Sequence, residues 1–145
     1  MVSASPSGRL GHGIEDPFIS VDVPFELARL QASPAYGREG HAGMTVNKYP
    51  ELRVVLEAMK AGVQIQIHET TEELTVQLVF GQLRILMPYG ESRELSEGSL
   101  AAVGAGKVHA LEALEDCGFV LTLGWPPLER RVEGGDEGET GGAGI

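Results

Sequence analysis

Eight short apolar runs, most of them set off by glycine-bearing turns, constrain this chain more than any other feature. They fall at 44–48, 52–59, 63–68, 73–80, 82–88, 100–103, 107–114 and 119–125. Among them stand Lys60-Ala61-Gly62, Gly81, Tyr89-Gly90, Glu97-Gly98, Gly104-Ala105-Gly106 and Asp116-Cys117-Gly118. Runs that alternate with period two, or are brief and continuous, read as strands. Turns this closely spaced predict an all-β antiparallel sandwich or barrel. No internal repeat and no nucleotide-binding glycine fingerprint interrupts the pattern.

One short helix is predicted before the strands. Asp22 is placed to cap it, Pro24 is tolerated in its first turn, and Val23, Leu27 and Leu30 share a face before Ser33-Pro34 stops it. That face suits packing on the outside of the domain. The ends differ in composition: 1–17 is rich in Ser, Gly and Pro, and 126–145 in Gly and acids, so both read as flexible tails around a single domain at 18–125.

With 145 residues, 42% of them hydrophobic, the chain can bury a core, while its net charge of −10 and lack of a Lys/Arg cluster argue against nucleic acid or an anionic membrane as partner. The first ten residues lack the apolar core of a signal peptide and no run approaches membrane-spanning length, so the expected location is cytoplasmic. Cys117 is the only cysteine, and its apolar neighbours Phe119, Val120 and Leu121 favour a buried, inert thiol.

Two segments carry histidines in a glycine frame. In the first, Gly62 precedes His68 by six positions and the frame closes at Gly81; in the second, Gly98 leads through Gly104-Ala105-Gly106 to His109. In this spacing the stretch 52–125 resembles the cupin superfamily, whose jelly-roll barrel (a double-stranded β-helix) is marked by two such motifs. The resemblance implies a pocket between His68 and His109, the two positions at which a divalent metal, Fe, Mn, Ni or Zn, would be held. Thr70 stands where that family places a further histidine and Leu74 where it places a glutamate. Two imidazoles fall short of the three protein ligands usual for a catalytic metal. A third could come from Glu69, Glu72, Glu73, His12 or His41; the simpler readings make Glu72 and Glu73 a solvated hairpin edge, His41 a loop histidine beside Gly40, and Trp125 a rim-packing residue.

Alternation from His68 would aim Gln64, Gln66 and Thr70 into the barrel and turn Val63, Ile65 and Ile67 outward. Leu74, Val76 and Leu78 would share the inner face, as would Leu111 and Ala113 with His109. Such a half-polar interior suits a small organic ligand. The outward apolar strand would need cover, hence an expected homodimer. Two functions follow: a non-catalytic or weakly catalytic small-molecule-binding or accessory module, or a metal-dependent enzyme of dioxygenase or isomerase type using His68, His109 and a third ligand. A metal-free enzyme with His68 or His109 as general base is a third reading.

Overall fold

The structure, a computed structural model, describes residues 13–67 and 72–124. Of the two expected tails, 1–17 is described only from residue 13, and 126–145 lies outside the described residues. Among the described residues, two α-helices, α1 (Val23–Gln31) and α2 (Pro34–Glu39), lead into nine strands. These are β1 (His41–Lys48), β2 (Leu52–Met59), β3 (Gln64–Gln66), β4 (Leu74–Phe80), β5 (Gln82–Leu86), β6 (Ser92–Ser96), β7 (Leu100–Val103), β8 (Ala110–Ala113) and β9 (Cys117–Gly124).

Helix α1 forms as its residues dictate. The Asp22 carboxylate accepts a hydrogen bond from the Phe25 amide at 3.1 Å, satisfying one of the free donors of the first turn. Leu27, fully buried, inserts against Val46 and Leu56 on the outer face of a sheet. Helix α2 is absent from the sequence-based expectation, because Ser33-Pro34 stops one helix and starts another. The Ser33 hydroxyl donates to the Leu30 carbonyl at 2.7 Å and accepts from the Tyr36 amide at 3.3 Å, with Pro34 in the first turn. Gly40, at φ 83°, then closes α2 in a left-handed conformation and releases the chain into β1.

All strand pairings are antiparallel and build two sheets, one of order β1-β2-β9-β4-β7 and one of order β3-β8-β5-β6. The first sheet is covered on both faces, which is why β2 reads as a nearly unbroken apolar run. Its Leu56 packs beneath α1 and its Ala58 beside Tyr36 of α2, whereas Val55 and Met59 face the space between the sheets. Phe119, Leu121, Val76 and Leu78 of the first sheet meet Leu83, Ile85 and Leu111 of the second there, and form the main core. Strand β6 is a further element beyond the expected runs, since Ser92-Arg93-Glu94-Leu95-Ser96 has one apolar residue and lies at a sheet edge.

One expectation about side-chain direction is reversed. Ile67 is buried in the core and Val63 and Ile65 pack against it, while Gln64 and Gln66 are exposed. The pleat offers the interior one set or the other. Burying a branched aliphatic side chain gains about 1.5–3 kcal/mol, whereas burying an amide without partners costs roughly 1–3 kcal/mol. The aliphatic set therefore goes in. The outer face of the second sheet is correspondingly polar, with Gln64, Glu112, Arg84 and Glu94 in one cross-strand row. Arg84 spans it, 3.2 Å from Glu112 and 3.1 Å from Glu94. The outward apolar strand on which the homodimer expectation rests is thus not present. Among the described residues, no helix is long and apolar enough to cross a membrane.

Candidate functional site

Strand β2 carries one acid on its core-facing side. Val55, Glu57 and Met59 alternate inward, so Glu57 sits where its strand neighbours are apolar. In register it lies opposite Gly43 on β1 and Phe119 on β9. His41 pairs with Met59, two positions along β1 from Gly43, and so reaches Glu57 diagonally on the same face. Its Nδ1 lies 3.2 Å from Glu57 Oε2. The Glu57 side chain is 13% exposed and the His41 ring 36%, so the carboxylate lies inside and the imidazole toward the mouth.

Gly43 makes this arrangement possible. A Cβ there would run into Glu57 Oε1 and crowd the Leu56 carbonyl. Without one, the carboxylate lies flat across β1. Burial raises the Glu57 pKa above the ordinary carboxylate value, and the hydrogen bond and positive charge offered by His41 offset part of that rise. Cys117, next on the inner face of β9 and fully buried, has its thiol pushed up to about 12, first by burial and then by the negative charges of Asp116 and Glu57. It is inert, as its surroundings in the sequence suggest.

Glu57 and His41 open on a cavity of about 240 Å³. Ile65, Ile67, Leu111, Phe119 and Leu121 form its apolar walls, and Gln66 contributes at the rim while remaining exposed. This combination of hydrocarbon walls and a few convergent polar groups characterises small-molecule sites.

Of the residues singled out in the sequence, the structure brings Gln66, Leu111 and His41, the last named there as a candidate third metal ligand, to this cavity. Leu74 and Val76 point inward but pack in the main core. Leu74 also borders an open depression of about 480 Å³ with Leu52 and Val103, whose one titratable group, Glu73, is exposed. His109 is exposed just before β8. His68 and Thr70 lie outside the described residues, as do Glu69, His12 and Trp125. Glu72, expected on a solvated edge, is buried at 4%, and Glu73 is exposed. His41 is not a loop histidine but the first residue of an eight-residue strand.

The described residues do not fit a metal site. Among them, no three His, Cys, Asp or Glu side chains converge, and the two donors at the cavity, His41 and Glu57, are engaged with one another. Glu57 is not among the residues singled out in the sequence, although it carries a signal: a lone acid inside an apolar run that is covered on both faces must point at something.

No family model matches the chain, and no curated protein matches it in sequence. Solved structures do match it in shape. A conserved protein of unknown function from Streptococcus pyogenes superposes with a TM-score of 0.60 at 20% identity, over 79% of this chain and 93% of its own. A cupin superfamily protein from Desulfitobacterium hafniense gives 0.55 at 14% identity, over 59% and 78%. The salicylate 1,2-dioxygenase of Pseudaminobacter salicylatoxidans gives 0.64 at 18% identity, over 76% of this chain but 36% of its own length. At such identities the likeness is one of fold. Two antiparallel sheets closing on a shared core, in the shape of these neighbours, make the chain a cupin-fold protein with the jelly-roll barrel its glycine-framed motifs imply.

Proposed function

We propose that this cupin-fold chain binds a small organic molecule, one ring in size, within the barrel, with the Glu57–His41 pair taking its polar group. The observation that supports the reading most is a buried carboxylate facing an open apolar cavity. Taking a charge out of water carries a desolvation cost even when it is paired, and Gly43 keeps the space the carboxylate occupies clear. A cavity of about 240 Å³ is smaller than drug-sized pockets and suits a single ring with a short substituent. Such a site is a binding module in itself and needs no metal.

The test is ligand-observed NMR on the full chain with one-ring compounds, before and after addition of divalent metal. Binding is expected without metal, unchanged in His68→Ala and His109→Ala, and lost in Leu111→Phe, which fills the cavity. Thermal unfolding of each variant shows whether it is folded. Binding that requires metal, or that survives Leu111→Phe but is lost in His109→Ala, would overturn the reading and restore the metal-dependent one.

A further inference from the structure

Building on the cavity reading, we infer that the ligand is a cation, a small primary amine whose ammonium group pairs with Glu57 and whose hydrocarbon part lies against Ile65, Leu111 and Phe119. The geometry points there in three ways. Among the described residues, the more buried acceptor at the cavity is a carboxylate, and His41, hydrogen-bonded to it, is the more exposed of the two and can yield its place to a ligand. No Lys or Arg is among the described residues that line the cavity, so a carboxylate ligand would meet Glu57 with no permanent cation to receive it. Phe119, opposite Glu57 in register, places an aromatic ring in the cavity wall, the kind of group a cation can meet. The net charge of −10 adds a field that draws cations toward the protein.

The pairing has a proton balance. When the Glu57–His41 pair holds a shared proton it is neutral overall. An incoming ammonium takes the place of that proton, which leaves to solvent, and the carboxylate remains charged against the ligand. Among the described residues, the titratable groups facing Glu57 are His41 from β1 and the thiol of Cys117 from β9; β3, the residue after it and β8 present Ile65, Ile67, Leu111 and the uncharged Gln66. Amine affinity therefore rises with pH, by up to about tenfold per pH unit below the titration of the pair. A neutral ligand of the same shape shows no such rise.

Calorimetry of the full chain with benzylamine, benzyl alcohol and benzoate separates the cases. Benzylamine is expected to bind at least about tenfold more tightly than benzyl alcohol near neutral pH, the worth of one charge-assisted contact, with benzoate weakest. Its affinity should climb with pH and its heat should depend on the buffer that takes up the proton. Glu57→Gln is expected to bring the amine down to the level of the alcohol; should that variant not fold, the pH series on the unaltered protein decides the same question. An alcohol or benzoate that binds as tightly as the amine, or an amine preference that is flat with pH, overturns the inference while leaving the cavity reading intact. Failure of all three probes overturns both.

Discussion

Replacing Glu57 with leucine should make the protein more stable, and the gain should depend on pH. The Glu57 side chain is 13% exposed and its neighbours across the cavity are Ile65, Ile67, Leu111, Phe119 and Leu121. A leucine in that position gains about 1.5–3 kcal/mol of apolar burial and removes the desolvation cost of the carboxylate. Against this stands the lost hydrogen bond to His41, about 1.5–3 kcal/mol for a charge-assisted bond. His41, 36% exposed, can turn to water, so no buried polar group is left without a partner. Apolar burial and the removed desolvation cost together outweigh the lost bond, and a net gain of about 1–2 kcal/mol is expected at alkaline pH.

The sign of the pH effect follows from the raised pKa of Glu57. A carboxyl group that binds its proton more tightly when folded contributes most to stability below its unfolded pKa, and that contribution is lost as pH rises through its folded pKa. The unaltered protein therefore carries the penalty at high pH and sheds it in acid, so the advantage of Glu57→Leu shrinks as pH falls. Differential scanning calorimetry across that range reads it directly. For a domain of this size 1 kcal/mol corresponds to about 4 °C in Tm. A Tm that falls on Glu57→Leu at alkaline pH, or a gain that does not shrink in acid, would refute the idea that Glu57 is held at a cost to stability.

Three further outcomes follow from named contacts. Gly43→Ala should displace the Glu57 carboxylate and weaken benzylamine binding by about tenfold or more, on the order of the 1.5–3 kcal/mol of a charge-assisted hydrogen bond, as calorimetry would show. Leu27→Ala should cost about 2–5 kcal/mol in urea unfolding, because Leu27 is fully buried between α1 and the outer face of β2. Cys117, buried and with its thiol pushed up to about 12, should resist a thiol reagent in the folded protein and react once it is unfolded.

How far the sequence can be read follows from the physics of each segment. The Asp22 cap and the spacing of Leu27 and Leu30 signal α1 directly, because both terms are local. The bounds of β2 at Leu52–Met59 are equally legible, since a strand covered on both faces is apolar over most of its length. Strand β6 has no such signal: at a sheet edge it gains from pairing with β5 rather than from burial. Setting the inward face of β3 from His68, a residue with an expected role, gives the wrong face; the burial of Ile65 and Ile67 sets it. The same preference for residues with expected roles hides the site. His41 and Glu57 lie 16 positions apart and meet only because β1 and β2 pair in a register that places Gly43 opposite the carboxylate. Neither belongs to the glycine-framed motifs that identify the fold.

The most direct test of ligand binding inside the barrel is a methyl-detected NMR titration of the full chain, with isoleucine and leucine methyls assigned and benzylamine and benzyl alcohol added in parallel. At least the amine should shift Ile65, Ile67, Leu111 and Leu121, which line the cavity, and leave Leu27 and Leu100 in place. Shifts that avoid those four methyls and appear instead around the exposed His109, or no shift at saturating probe, would contradict it.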